Sequence, residues 1–481
     1  MLEIILNVII WINVGLAILT VFRQKRDIAA TWAWLLVLSF LPVIGFIIYA
    51  FLGRKLPKKR LFRFQAQNVA KMRKILDKQL GMFKNVQTIP ADKVAYKSKG
   101  LIRLFDNMDD AFLTRRNDVT IFTNGNDLFD RLLAEINAAK ESINIEFYTF
   151  YSDQIGTQVR DLLVKKAQQG VTVRVIYDSW GSMGTTAKFF KPLTDAGGLA
   201  EPFLHTHSAI IDFRINFRDH RKIIVIDGRI GYVGGFNIGD QYLGRKKKFG
   251  NWRDTHIRVV GAGVFGLQSQ FILDWNATDD KHQIDDSDPV HFPVTEVDGS
   301  TDMQIVTSGP DSDMEQIKLG YIKLIQMAER TCWIQSPYLI PDDSMIDALK
   351  IASMAGIDVR IMVPCKPDHP FVYRATQYYA RQLADYGVKI YFYQNGFIHA
   401  KTMVVDERVA SVGSANLDYR SFKLNFEINS FMYDERISEE LVAIYKQDIT
   451  NSKLITPEMF RQQPAWTKFK QQFSRLLAPI L

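Results

Sequence analysis

Apolar and polar positions along this chain fall into two blocks with one plan. In the first, SINIEFYTF (142–150) has the spacing of a strand and DQIGTQVRDLLVKKAQQG (153–170) that of an amphipathic helix. VTVRVIYD (171–178) then reads as a buried strand. TCWIQSPYL (331–339), DDSMIDALKIASMAG (342–356) and IDVRIMVP (357–364) repeat that order. The joints agree as well: Gly170 precedes Val-Thr-Val-Arg, and Gly356 precedes Ile-Asp-Val-Arg. Strands alternating with helices predict α/β layers, with helices covering a mixed sheet. The acidic, Pro-containing stretch from Asp279 to Asp302 is the expected joint between the halves, and residues 54–95 read as a basic helical linker.

The N-terminal pattern is different. No charge interrupts Ile4 to Phe22 or Ile28 to Gly53. Each run approaches or exceeds the ~20 residues that cross a hydrocarbon core of about 30 Å. Glu3 in place of a basic start, with no clear small-residue cleavage site, argues against a cleaved signal. Residues 1–53 are therefore expected to form a membrane hairpin of two hydrophobic helices. Pro42 and Gly45 leave open a re-entrant path for the second. Arg54, Lys55, Lys58, Lys59, Arg60 and Arg63 outweigh Arg23, Lys25 and Arg26. That bias predicts a multi-pass cell-membrane protein with the folded part on the cytoplasmic side.

Charge narrows the partners. The net +8 is concentrated in residues 1–63, where nine Lys and Arg face only Glu3 and Asp27. Beyond them, 51 basic residues nearly balance 50 acidic ones. A nucleic-acid binder carries its excess on the folded domain, whereas a basic flank beside apolar runs suits anionic lipid headgroups. The two cysteines, Cys332 and Cys365, imply no disulfide framework. Near the C-terminus Trp466, Phe469, Phe473, Leu476 and Ile480 recur at intervals of three and four. This is either an interfacial helix or one packed by its apolar face on its own domain.

The candidate chemistry lies in a second repeat. Counting from His220, lysine falls at +2 (Lys222), aspartate at +7 (Asp227), glycine at +14 (Gly234) and asparagine at +17 (Asn237). Counting from His399 gives Lys401, Asp406, Gly413 and Asn416 at the same offsets. In a strand the period of two puts histidine and lysine on one face. There an imidazole can attack phosphorus while an ammonium neutralises the equatorial oxygens. One such pattern alone is weak, since most strand histidines serve packing; two copies agreeing at five points are a repeated site. The arrangement predicts neither a metal site nor a cofactor. One histidine would be the nucleophile and the other the general acid and base, the order being open. Asp227 and Asp406 are read with the catalytic set, with turn formation at a strand end as the alternative. Asn237, Asn416 and Ser414 are candidate phosphate donors.

This duplicated pattern resembles the HKD motif of the phospholipase D superfamily. The strings FRDHRKIIVIDG, FGNWRDTHIRVVG, FIHAKTMVVDE and GSANLDYRSFKLNFE are similar to its bacterial cardiolipin synthase branch, and the likeness runs to the final RLLAPIL. The resemblance implies two phospholipase D-like α/β/α sandwich domains, 96–290 and 291–481, related by a pseudo-twofold axis that brings both histidines to one phosphorus. It also implies transfer of a phosphatidyl group between two phosphatidylglycerols through a phosphohistidine, giving cardiolipin and glycerol. By the same resemblance, Asp254 and Glu427 would each orient a histidine. Gly235 departs from the pattern, which often has serine there, as Ser414 is in the second copy; a phosphate donor is thus expected to be missing from the first half. A phospholipase D hydrolase, a nuclease and a non-catalytic membrane scaffold are the rivals, and oligomeric state is not readable.

Overall fold

Alternation with a period of two decides where each strand residue goes. The computed structural model describes residues 28–41, 93–109, 111–203, 216–285, 288–312 and 314–477, with isolated positions before residue 50. In the first half the order is β1 (Thr114–Phe122), α1 (Gly125–Ala138), β2 (Ser142–Phe147), α2 (Gln154–Gln168), β3 (Thr172–Tyr177), α3 (Ala187–Asp195) and β4 (Leu199–Pro202). The motif strands β5 (Lys222–Ile226), β6 (Ile230–Gly234) and β7 (His256–Val260) follow, then α4 (Val264–Thr278). The second half repeats the plan. Its elements are β8 (Thr301–Ser308), α5 (Gln316–Gln326), β9 (Thr331–Gln335), α6 (Asp343–Met354), β10 (Asp358–Pro364), α7 (Pro370–Ala384) and β11 (Lys389–Tyr393). They continue with β12 (Thr402–Val405), β13 (Val409–Gly413), β14 (Asn425–Tyr433), α8 (Glu435–Thr450), β15 (Ser452–Ile455) and α9 (Ala465–Leu476). The paired helices start alike: Asp153 accepts from the Gly156 N–H and Asp342 from the Met345 N–H.

These strands join in one sheet, ordered β15-β11-β10-β9-β12-β13-β14-β8-β1-β7-β6-β5-β2-β3-β4. The order is nearly a palindrome about the antiparallel β8–β1 seam, where Thr114 faces Met303 and Asn117 faces Thr301. On one side of the sheet, Ile223, Val225, Val404, Val412 and Ile428 enter a core shared by both halves and roofed by α4 and α8. The alternate residues go to two outer cores, Ile224 and Ile226 beneath α1 and α2, Met403 and Val405 beneath α5 and α6.

The expected elements in both blocks are present, and α4 ends just before the stretch expected to join the halves. The two halves are not separate bodies, however. The described residues from 93 to 203 and from 218 to 477 fall in one compact unit, and those before residue 50 in another. The Lys99–Asp109 helix, expected to begin the first domain, packs instead in the outer core of the second half, with Phe105 4.5 Å from Phe431. In the smaller unit an apolar helix covers Ile28–Phe40. No helix among the described residues is long and apolar enough to cross a membrane. Most of the expected hairpin and linker, and Ile480, lie outside the described residues.

Candidate active site

Each histidine sits where its chain leaves the opposite half and enters its own strand. Arg218–Asp219 pair in parallel with Asn425–Phe426, and the His220 N–H donates to the Phe426 carbonyl at 2.9 Å. Phe397–Ile398 pair in the same way with Trp252–Arg253, and the His399 N–H donates to the Arg253 carbonyl at 2.7 Å. The next residue on each borrowed strand is a carboxylate. Glu427 therefore lies 3.0 and 2.9 Å from His220 Nδ1, and Asp254 lies 2.7 Å from His399 Nδ1. The orienting carboxylates are exchanged between halves, which spacing along the sequence does not reveal.

With Nδ1–H donating to a carboxylate, each ring keeps its lone pair on Nε2. The histidines are 8 % and 7 % exposed, and Lys222 and Lys401 are buried. Each ammonium folds back to the carbonyl of its own histidine, Lys222 at 2.6 Å and Lys401 at 2.5 Å. Burial, then the lysines, hold His220 well below the ordinary imidazole value; burial and Lys401 lower His399 also. His220 is thus held neutral, with Nε2 free to attack. Burial brings Lys222 down to about 7, with the charge of Lys401 adding to the drop, and Lys401 down to about 8 against the pull of Asp254 and Glu427. Burial raises Glu427 to about 7. Burial also opposes ionisation of Asp254, but His399, Lys401 and the Thr255 N–H outweigh it and hold that carboxyl below its usual value. Tyr148 lies edge-on to His220 at 5.0 Å and Trp252 tilts against His399 at 5.2 Å. Neither aromatic was singled out from the sequence, where each is one of many in strand-end strings.

Ser414 and Gly235 occupy equivalent places with different tasks. The Ser414 hydroxyl donates to Glu427 at 2.5 Å and accepts from the Ile428 N–H at 2.9 Å, so it braces the carboxylate and is committed there. At Gly235 a Cβ would fall 2.0 Å from Asp254 Oδ1. The shorter carboxylate fills the space of the missing side chain. This corrects the expectation of a lost phosphate donor: the serine works on a carboxylate, and glycine admits one. Asn237 and Asn416 are buried near the motif turns. Asn237 Oδ1 accepts from the Thr149 N–H at 3.2 Å, while Asn416 Oδ1 has no hydrogen-bond partner among the described residues.

The motif aspartates are not with the histidines. Five residues of strand, about 16 Å, separate Lys222 from Asp227. Its carboxylate accepts from the N–H groups of Lys140, Glu141 and Ser142 at 2.7–2.9 Å. Asp406 takes those of Glu329, Arg330 and Thr331 at 2.7–2.8 Å. Both residues have φ of 54°. They staple the entry of β2 and β9 to the ends of β5 and β12, and the catalytic reading of Asp227 and Asp406 is replaced by the turn-forming one. Behind the site, Arg221 pairs with Asp274 at 2.8 and 2.7 Å. Arg253 pairs with Asp448, reaching 2.8 Å. The basic run from Arg245 to Lys248 lies in an exposed loop, with Arg245 on Asp240 at 2.8 Å.

Sequence comparison agrees with this architecture. The profile of the family described as "Cardiolipin synthase, PLD-like domain" matches residues 132–249 and 321–449, one copy in each half. A second, "Phospholipase_D-nuclease N-terminal", matches residues 5–54. A cardiolipin synthase of Listeria innocua is 48 % identical over 477 residues, covering 99 % of both chains. The major cardiolipin synthase of Bacillus subtilis is 48 % identical over 479 residues, covering 100 % of this chain and 99 % of the relative. A cardiolipin synthase of Staphylococcus aureus is 45 % identical across 98 % of this chain and 95 % of its own. Among solved structures, the phosphatidylserine synthase of Haemophilus influenzae superposes with a TM-score of 0.63 at 15 % identity. It covers 80 % of this chain and 100 % of that one, which supports the fold.

Proposed function

The chain belongs to the cardiolipin synthase family of the phospholipase D superfamily and is a phosphatidyl transferase; from that premise we propose how its residues carry the transfer. The observation that carries the reading is the exchanged pair of histidine–carboxylate contacts, each beside a buried lysine. One phosphatidylglycerol binds with its phosphate oxygens toward Lys222 and Lys401, with Asn237 and Asn416 adding neutral donors. His220 Nε2 attacks phosphorus and forms a P–N bond. The P–O bond to the headgroup breaks as His399, entering the step as the imidazolium that Asp254 stabilises and that the second half of each turnover regenerates, gives its Nε2 proton to the departing glycerol oxygen. His399 then takes a proton from a headgroup hydroxyl of a second phosphatidylglycerol. That oxygen attacks phosphorus, the P–N bond breaks, and cardiolipin leaves.

The division of roles rests on the carboxylates. Asp254, held ionised, favours an imidazolium at His399, as acid–base work needs. Glu427, raised to about 7, favours a neutral nucleophile at His220. Burial of both rings supports transfer to a lipid hydroxyl over hydrolysis. The enzyme is membrane-associated. We read residues 1–53 as the anchoring hairpin and the catalytic part as cytoplasmic, on the uncharged runs and their basic flank.

The test is lipid mass spectrometry on purified protein with phosphatidylglycerol vesicles, beside a His220→Ala control. Cardiolipin and glycerol formed together, and only with His220 intact, is the expected result. Phosphatidic acid without cardiolipin would make the enzyme a hydrolase. No lipid turnover would overturn the reading.

A further inference from the structure

The C-terminal helix α9 is docked with its polar side inward. Gln471 and Ser474 are buried against α7, and Gln471 Nε2 bonds to Gln463 Oε1 at 2.8 Å. Of the two placements open to the aromatic face, the outward one is found: Trp466 is 65 % exposed, Phe469 54 %, Phe473 48 % and Leu476 66 %. These rings are ordered as a ladder, Trp466 on Phe469 at 5.3 Å and Phe469 on Phe473 at 6.4 Å. Between the ladder and the head of α7 runs an apolar groove of about 490 Å³, lined by Pro367, Pro370 and Phe371, the last 52 % exposed. An apolar patch of this kind costs free energy in water unless something covers it.

Charge says what covers it. Neither helix contains an acidic residue, while α9 carries Lys468, Lys470 and Arg475 and α7 carries Arg374 and Arg381. Lys470 lies 5.6 Å over the Trp466 ring, and Arg475 Nη1 donates to the Tyr378 hydroxyl at 2.7 Å. Outward aromatics on helices whose only charges are cations are what a surface needs to lie in the headgroup layer of an anionic bilayer. Pro367 and Pro370 also flank Asp368, which accepts a hydrogen bond from Tyr338 and whose charge acts on Lys401. The patch therefore adjoins a loop that reaches the active site.

We propose that α9 and the head of α7 form a bilayer-docking face, distinct from the N-terminal segment, that seats the active site on an anionic lipid surface. The consequence for turnover rests on the lipid-substrate reading above; the docking itself does not. The test uses the full chain reconstituted in phosphatidylglycerol–phosphatidylcholine vesicles. In wild type, lipids brominated in the acyl chain should quench a component of tryptophan emission that Trp466→Phe removes. The triple variant Trp466→Ser, Phe469→Ser, Phe473→Ser should lose about tenfold in kcat/KM on vesicles and keep wild-type turnover in detergent mixed micelles. Leucine at the same three positions should restore the vesicle rate. Absence of a Trp466-dependent quenched component, or an equal loss in vesicles and micelles, would overturn the proposal. Wild type inactive in both media would sink the functional reading while leaving the quenching experiment to decide docking.

Discussion

Replacing Gly235 by serine makes the first half copy the second in sequence and should nonetheless damage it. A Cβ at 235 would lie 2.0 Å from Asp254 Oδ1 and 2.7 Å from its Cγ. Oxygen and carbon need about 3.2 Å, so the carboxylate must retreat by roughly 1 Å. It has nowhere easy to go, being fully buried and held by His399 at 2.7 Å and the Thr255 N–H at 2.8 Å. A retreat of that size stretches the His399 contact past hydrogen-bonding range. Misplacement by about 1 Å typically costs about 10²-fold in rate, or close to 3 kcal/mol of barrier. The second half shows the remedy, since serine there is matched with glutamate. The double variant Gly235→Ser, Asp254→Glu should therefore recover most of the loss, giving a favourable coupling of about 2 kcal/mol in a double-mutant cycle. The assay is kcat for cardiolipin formation by each single and the double variant, with thermal unfolding as a control for folding. A Gly235→Ser enzyme as active as wild type, or a double variant no better than the worse single, would refute the packing argument.

Further outcomes follow from the same geometry. Asp227→Asn and Asp406→Asn each remove half of the acceptors serving three backbone N–H groups at a strained turn, so stability should fall by about 1–3 kcal/mol. Once folded at lower temperature, both should keep kcat within a few-fold; a thousandfold loss would return the aspartates to the chemistry. Glu146 is fully buried, and burial, then Asp274 and Asp219, hold it well above the carboxylate range, so it stays neutral beside Asp274. In the second half the neutral Gln335 stands beside Asp448 and donates to it at 2.8 Å. Because the folded value is raised, the residue is neutral in effect at acid pH and increasingly destabilising above the unfolded carboxylate value. Glu146→Gln should therefore raise the unfolding free energy by an amount that grows with pH, by up to about 1.4 kcal/mol per pH unit, seen in melting curves recorded across pH; a uniform loss of stability would contradict it. Finally, kcat/KM should decline from about pH 7 upward as Lys222 and then Lys401, brought by burial to about 7 and about 8, lose charge in the free enzyme. The limb in kcat should lie higher, since bound phosphate favours the ammonium; a profile flat to pH 10 would count against both lysines.

Much of this was legible in the chain because it depends on period and repetition. The two strand–helix–strand blocks are local patterns and land on the expected elements, while the paired His-x-Lys positions fall at strand entrances, with both histidines and Lys401 just ahead of the strand. What failed to show was non-local. Nothing in the spacing of Asp254 or Glu427 says that each serves the histidine of the other half, because that follows from two short parallel pairings between distant segments. The same pairings explain why the halves share a core and are not independent domains. Gly235 misled for a related reason: its missing side chain makes room for a residue 19 positions away. Asp227 and Asp406 share the motif's spacing, yet period alone cannot tell a chemical residue from the staple that ends its strand. In α9 the apolar stripe was readable, but which side faced the protein was not.

The central claim is a covalent phosphohistidine, and the stereochemistry at phosphorus tests it most directly. Phosphatidylglycerol made chiral at phosphorus with sulfur and converted to cardiolipin should emerge with configuration retained, because two in-line displacements each invert it. Net inversion would mean direct transfer from lipid to lipid, and would contradict the account whatever the histidine variants showed.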